Sequence, residues 1–523
     1  MQSSESAANP GVKNSLLLSS FGWPQRLTLL LLTVAGVAIR LLYLDRKPFW
    51  FDECFSAVVA RISLGDFLHL LWWREANMSL YYALLRVWLH FGTSEFYIRS
   101  LSVIFAAATI PAIYWLVALL YDHRVASIAA ALFTFNAYSV RYSQEARSYA
   151  LFVLLATLSS ALLVAWQREP TPRHRASYIL VSVLAVYAHF YALLLLAAHW
   201  LTLRLLGGPR TGDTDESAAG ALASWRRTWI TLGLVVLPLL VFVAKTGAGP
   251  IRWITRPGLH DLLEFFEHLA GANTWLLPAI YVAACIAGAA PLRGRLFRHD
   301  QNWETWRIQF LLIWLFFPVG LTVLLSFARP VFLARYMIFC LPALLILVST
   351  GLVRIRPAWL LVLALTCVSL LALEGVGFVY GHDFDNERDA SVAAAGFVLD
   401  HSQAGDAIIF HIAETRIPYE FVRSLRAGRN TASPDFTAQL GPEILFPDHG
   451  PGLDYRDFTG KPAPDFVHTA VHSHPRVWVM LMNNGPAGNP DPTTVMLTKI
   501  LTQSFPKMLS WQFAKVEVRL YSQ

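Results

Sequence analysis

Apolar and polar positions fall in long blocks along the chain. Apolar runs approaching the ~20 residues that cross hydrocarbon cover 26–44, 97–120, 124–137, 148–166, 177–188, 190–206, 228–244, 272–290, 308–327, 336–350 and 357–379, and a further apolar helix is predicted over 79–91. The polar connections between them differ in charge. Arg168, Arg173 and Arg175 lie in 167–176, Arg204, Arg210, Arg226 and Arg227 in 204–227, Arg293, Arg295, Arg298 and Arg307 in 291–307, and Arg354 and Arg356 in 351–357. The positive-inside bias assigns these four connections to the cytoplasm. Counting outward from them, 45–78, 138–147, 245–271, 328–335 and everything after 380 share the opposite side. Three apolar helices between 79 and 137 break that parity, so the helix over 79–91 is expected to lie along or partly within the membrane.

From about residue 380 the pattern changes to that of a soluble domain. β-rich runs at 406–410, 476–481 and 516–521 alternate with helical patterns at 388–400, 415–426 and 493–503, separated by Pro and Gly turns. A small α/β domain is the expected result. The organisation read from the pattern is therefore a tail over 1–25, a membrane domain over 26–379 with a polar outer loop at 45–78, and an α/β domain over 380–523. The tail and first span lack a cleavable-signal pattern, because the apolar stretch is too long for a signal core and no small-residue cleavage site follows. A cytoplasmic N-terminus, a retained first span and an extracytoplasmic C-terminal domain are expected.

Composition agrees with a polytopic membrane protein: 55% of the 523 residues are hydrophobic and 15% charged, against roughly 25% charged in soluble domains. The net charge of +7 resides in the short basic connections, so it reports orientation rather than a nucleic-acid partner. Cys285, Cys340 and Cys367 fall in apolar spans and Cys54 alone lies in a loop, which leaves no pair placed for an external disulfide.

Five polar groups on the outer side carry candidate chemistry. Asp52 and Glu53 follow the first span by a few residues, where ionised groups are usually avoided unless they have a task. A carboxylate there can take a proton from an acceptor hydroxyl, a step that contributes roughly 10² to 10⁴-fold in rate; the competing reading is a helix cap at Asp52 with Glu53 favouring the N-terminal dipole. Tyr142-Ser143-Gln144-Glu145-Ala146-Arg147-Ser148-Tyr149 sets Arg147 where its planar fork suits a phosphate, or where it pairs with Glu145. Arg335 and Tyr336 begin a helix, and a cation at a helix start is unfavourable without a local anion, although an interfacial arginine beside a belt tyrosine explains the pair as well. Arg74 and Glu75, just before Asn77-Met78-Ser79-Leu80-Tyr81-Tyr82, and His189 in the turn Tyr187 to Tyr191 complete the set. A lone histidine at such a turn is more often a hydrogen-bonded interface residue than a base.

Together, Trp50-Phe51-Asp52-Glu53 with Ser56, the run Leu80 to Trp88, Phe91-Gly92, Glu95-Phe96, Arg99-Ser100-Leu101, the run Tyr142 to Tyr149 and Arg335-Tyr336 closely resemble bacterial integral-membrane glycosyltransferases. That family includes the dolichyl-phosphate-mannose protein mannosyltransferases, the lipid A aminoarabinose transferases and the lipopolysaccharide glycosyltransferases. The likeness covers roughly residues 26 to 380 and is strongest to about residue 200. It implies an α-helical polytopic membrane protein of GT-C-like fold, with about 11–13 spans and the small C-terminal α/β domain attached, in the inner (plasma) membrane. It also implies a polyprenyl-phosphate sugar as donor and a glycan, lipid or protein as acceptor, with Asp52 matching the family's acidic motif and Glu53 beside it. Arg147, Arg335, Tyr336 and Arg74 are then the candidates for donor phosphate, and Tyr82, Gln144, Glu145 and His189 for substrate contact. Relatives often carry a proline, sometimes with a lysine, before the Leu-Tyr-Tyr segment; Asn77-Met78-Ser79 stands here, so no lysine contact is carried over and Arg74 is the only nearby substitute.

A single in-line displacement on such a donor would invert the anomeric centre. Carboxylates in the outer loops permit a divalent cation, and no ligand spacing demands one. The rival from another class is a lipid-linked sugar transporter or flippase with an external domain. It would want ionisable residues buried in mid-span, and Glu374 is the main exception to their scarcity; no internal repeat points to inverted halves. A sensor is the third reading, opposed by the lack of a sizeable cytoplasmic module.

Overall fold

The structure is a computed structural model that describes residues 22–73, 75–207, 216–246, 254–292, 302–381, 390–427, 440–447, 460–482 and 490–523. Helix α1 (Trp23–Leu41) starts with Pro24 in its first turn, where a missing amide costs nothing. Its last turn carries Arg40, fully buried, which donates to the carbonyls of Phe133 and Thr134 at 3.2 and 3.0 Å. Three short helices follow, α2 (Phe51–Val59), α3 (Leu64–Trp73) and α4 (Ser79–Trp88). The ten residues of α4 rise about 15 Å, half of the ~30 Å of hydrocarbon. α4 therefore cannot cross; it packs on α2 and on α9, with Ser79 Oγ donating to the Tyr187 carbonyl at 3.3 Å.

Helix α5 (Glu95–Leu120) is long and apolar enough to cross, and the shorter apolar helix α6 (His123–Phe135) runs back toward Arg40. Ser94 caps α5 through the Tyr97 amide at 3.2 Å, and Asp122 caps α6 through the amides of Arg124 and Val125 at 2.8 and 3.0 Å. With α4 left out, two apolar helices, α5 and α6, remain between 79 and 137, the even number that the loop assignment needs. Helix α7 (Ala137–Ser143) is a two-turn piece capped by Asn136, and α8 (Tyr149–Arg168), α9 (Pro172–Ala188), α10 (Ala192–Leu206) and α11 (Glu216–Thr246) follow. The expected outer loop before the next span contains an amphipathic helix, α12 (Leu259–Ala270). Then come α13 (Leu276–Ala289), α14 (Trp303–Ala328), a 3-10 turn over Ala334–Cys340 that runs into α15 (Leu341–Leu352), and α16 (Ala358–Gly381).

Among the described residues, seven helices are long and apolar enough to cross a membrane, and three shorter apolar helices accompany them. α8 and the segment ending in α15 are buried along most of their length and form the centre, while α1, α11 and α16 present Leu30, Val34, Leu234, Leu363 and Leu370 outward. α13 and α15 cross with backbones touching, since a Cβ at Gly351 would sit 1.9 Å from the Ala284 carbonyl oxygen. The basic connections gather at one end: Arg307 donates to the Leu120 carbonyl at 2.8 Å, Arg354 to the Ala287 carbonyl at 2.7 Å, and Arg168 lies over the Trp303 ring. Asp52, Arg147, His189 and Arg335 lie at the other.

After α16, helices α17 (Ser391–His401), α18 (Arg416–Arg426), α19 (Pro464–Val471) and α20 (Pro492–Ser504) surround a five-stranded sheet. Its strands are β1 (Ala407–Phe410), β2 (Glu443–Phe446), β3 (Arg476–Met482), β4 (Lys507–Phe513) and β5 (Val516–Ser522), in the order β2-β1-β3-β5-β4. β1 runs parallel to β2 and β3, and β5 runs antiparallel to β3 and β4. Alternation along β1 and β3 sends Ile409, Val477 and Val479 to the α19 and α20 side, and Ile408, Phe410, Trp478 and Met480 to the side of α17 and α18. The expected strands β1, β3 and β5 and helices α17, α18 and α20 are present; β2, β4 and α19 are additions. α18 lies against α2. Phe421 stacks on Phe49 at 5.0 Å with rings 9° apart, and Arg61 donates to Ser424 Oγ at 3.0 Å.

Candidate active site

Chain entry into α2 decides what its two acids do. Trp50 occupies the N-cap position and no side chain caps the helix, so Asp52 is not the cap; both acids fall in the first turn, where the dipole favours negative charge. Their surroundings then diverge. Glu53 is fully buried. Its Oε1 accepts from Arg99 Nε and from the Ala146 amide, each at 2.8 Å, and its Oε2 accepts from Arg99 Nη2 at 2.6 Å. Arg99 also donates to the carbonyls of Leu44, Lys47 and Pro48, and its guanidinium lies over the Phe49 ring. The pair thus ties the end of α1, the start of α2, α5 and the segment before α8 together. Expected as a catalytic helper, Glu53 instead has both oxygens committed to the scaffold.

Asp52 remains partly open, with its Oδ2 3.5 Å from Arg147 Nη2. The buried Arg147 fork also approaches the Tyr82 hydroxyl at 3.4 Å and the Asp52 carbonyl at 3.5 Å. Behind it stands an aromatic wall. Tyr149 meets Tyr142 edge-on at 5.0 Å, His189 stacks on Phe152 at 4.9 Å, and the Tyr336 ring lies 4.8 Å from His189. His189 Nδ1 accepts from the Tyr191 amide at 3.2 Å, whereas His189 Nε2 and Tyr149 Oη are buried with no hydrogen-bond partner among the described residues. Arg335 enters from the start of the 3-10 turn, its guanidinium 5.7 Å from the ring centroids of Trp50 and Tyr336.

Asp52, Tyr82, Arg147, His189, Arg335 and Tyr336 are therefore brought together. Gln144 is not: its amide donates to the carbonyls of Arg40 and Leu42 at 3.1 and 2.8 Å and fastens the end of α1. Glu145 is buried, and its carbonyl accepts from the Arg147 amide at 2.7 Å. Arg74 lies outside the described residues.

Two further carboxyls face the Asp52 charge. Glu75, half-buried between α3 and α4, has its pKa pushed up to about 7 by burial, with Arg147 pulling it down and Asp52 raising it. Glu414 comes from the soluble domain, in the 3-10 turn Ala413–Thr415 just before α18. Its pKa is also pushed up to about 7, by burial and then by Asp52. Sequence reasoning missed Glu414, and no local motif marks it. Among the described residues, no group of three or more His, Cys, Asp or Glu side chains is arranged to hold a metal ion. A cavity of about 570 Å³ opens on the other flank of Arg335, between α7, α12 and α16.

No protein-family model and no curated protein matches the chain. Solved structures do. ArnT from Cupriavidus metallidurans in the apo state superposes with a TM-score of 0.59 at 12% identity, over 94% of this chain and 97% of that one. The fold is GT-C-like. The same ArnT bound to undecaprenyl phosphate gives a TM-score of 0.57 with the same coverage. The apo oligosaccharyltransferase of Archaeoglobus fulgidus gives 0.50 at 11% identity, over 77% of this chain and 64% of its own. The GT-C-like likeness to ArnT takes in the C-terminal sheet domain, which the sequence resemblance did not reach.

Proposed function

We propose that this protein is an inverting glycosyltransferase that moves a sugar from a polyprenyl-phosphate donor to a hydroxyl of a cell-envelope glycan, lipid or protein. The reaction takes place on the outer face of the inner membrane. One observation carries the reading: the partly open Asp52 carboxylate lies beside Arg147 and within electrostatic reach of Arg335, so a proton acceptor and two phosphate-binding cations border one space. The fold shared with a protein solved with undecaprenyl phosphate supports the donor class.

In the proposed step, Asp52 accepts the proton of the acceptor hydroxyl as that oxygen bonds to the anomeric carbon. The bond from the anomeric carbon to the phosphate oxygen breaks, and polyprenyl phosphate leaves with the electron pair. Arg147 and Arg335 stabilise the growing charge on that phosphate, and charge-assisted contacts inside a partly dehydrated site strengthen as it develops. Direct displacement inverts the anomeric centre. Glu53 and Arg99 hold the geometry.

The deciding experiment is a transfer assay on the full-length protein in nanodiscs, with a panel of polyprenyl-phosphate sugars and envelope acceptors. Product formation from one donor, lost in Asp52→Asn, is the expected result. No transfer from any donor, together with sugar movement across sealed vesicles, would replace this reading by a transporter.

A further inference from the structure

The cavity beside Arg335 has a wall chemistry of its own. Arg141 and Arg335 supply two cations, while α12 contributes Asp261, Glu264 and Glu267 from one face. Among the described residues of the wall, three carboxylates stand against two guanidiniums, a balance that disfavours a phosphate-bearing head group. Asp261 accepts from the Gly258 amide at 2.6 Å and Glu264 sits 3.9 Å from His268. The Glu267 carboxylate makes no hydrogen bond or ion pair among the described residues, and it is half-buried at the cavity wall. Tyr138, Phe332 and Phe378 add aromatic surface.

Planar carboxylates and guanidiniums can each accept from or donate to two neighbouring hydroxyls, and aromatic faces suit the C–H faces of a sugar ring. The volume of about 570 Å³ falls within the ~300–1,000 Å³ of ligand sites. Arg335 belongs both to this cavity and to the surroundings of Asp52, so the two spaces adjoin through its side chain.

We propose that the cavity between α7, α12 and α16 is a subsite for an uncharged, hydroxyl-rich saccharide head of the acceptor, distinct from the place of the carrier phosphate. It rests on the glycosyltransferase reading and narrows the acceptor to a saccharide-bearing one.

The test uses the full-length protein in nanodiscs and two probes. Saturation-transfer NMR with a panel of methyl glycosides reads the cavity, and undecaprenyl phosphate titration reads the carrier site. Ring-proton saturation of at least one methyl glycoside is expected, persisting with undecaprenyl phosphate present and lost in both Glu267→Ala and Ala272→Leu, the second of which fills the space without removing charge. Both variants should bind undecaprenyl phosphate within about twofold of the parent, while Arg147→Ala weakens it about tenfold or more. The subsite is overturned if no methyl glycoside is saturated, if the signal survives both substitutions, or if Glu267→Ala weakens the carrier about tenfold. Unchanged carrier binding in Arg147→Ala would count against the donor-site reading instead, whatever the glycosides do.

Discussion

Arg99 and Glu53 form a bidentate pair, Nε to Oε1 at 2.8 Å and Nη2 to Oε2 at 2.6 Å, in a place with almost no solvent. The neighbouring acid, Asp52, has no such partner set and keeps an open side. Adjacent carboxylates on one helical turn therefore meet opposite surroundings, Glu53 locked to Arg99 and Asp52, the proposed base, partly open beside Arg147.

Substitution should separate them. Asp52→Asn is expected to leave the thermal unfolding midpoint near that of the parent and to cut transfer by about 10² to 10⁴-fold. Glu53→Ala strands a buried guanidinium, and removing one partner of such a pair costs about 3–5 kcal/mol. That variant should lose folded yield before any kinetic effect is measurable. Thermal unfolding of both in nanodiscs, beside the transfer rate, checks the contrast; equal unfolding midpoints would refute it.

Arg147 and Arg335 should both matter to the donor, through different exposure. Arg147 is buried against Asp52 and Tyr82, while Arg335 is half-buried beside Trp50. Charge-assisted contacts are worth about 1.5–3 kcal/mol, so either alanine variant should raise the donor KM about tenfold or more and leave the acceptor KM within about twofold. A rise confined to the acceptor KM contradicts the assignment.

The pH profile follows from Glu75 and Glu414. Burial raises both carboxyls from an ordinary 4.5 to about 7, so they are neutral below that pH and ionise above it. Ionisation adds negative charge around Asp52 and repels an anionic donor. Donor KM should rise several-fold from about pH 6 to about pH 8, and Glu75→Gln with Glu414→Gln should flatten the rise. Stability falls with rising pH as well: between 4.5 and about 7 the folded chain holds protons that the unfolded chain releases, so stability drops across that window and is flat above it. A donor KM that falls with pH, or keeps its slope in the double variant, sinks the explanation.

Gly351 offers a test of the bundle alone. Its Cβ would overlap the Ala284 carbonyl oxygen, and both partners are helix backbone. Gly351→Ala should cost about 1–3 kcal/mol as α13 and α15 separate, read as a lower unfolding midpoint with the donor KM unchanged in protein that still folds.

The membrane helices were legible because hydropathy over a ~20-residue window needs no tertiary information. The parity of the loops already set the helix over 79–91 apart from the spans, and α4, at ten residues, is too short to cross. The edge strand β4 escaped notice because Lys507 to Leu509 are all exposed, which erases the alternation that marks a half-buried strand. β2 has four residues next to Pro447, too few to carry a period. In the site, Asp52, Arg147 and Arg335 each stood out as charges next to apolar runs, yet nothing local separated Asp52 from Glu53. Arg99 decides that from 46 positions away. Glu414 lies far beyond the last span and reaches the site only because α18 docks on α2.

That docking couples two parts of the chain that would otherwise vary separately. Phe49 and Phe421, and Arg61 and Ser424, meet across one seam, directly behind the helix that carries the proposed base. A different C-terminal domain placed on this chain must bring a matching ring for Phe49 and a matching hydroxyl for Arg61, or α2 loses its backing. Through Glu414 and α18 the C-terminal domain supplies one wall of the space beside Asp52.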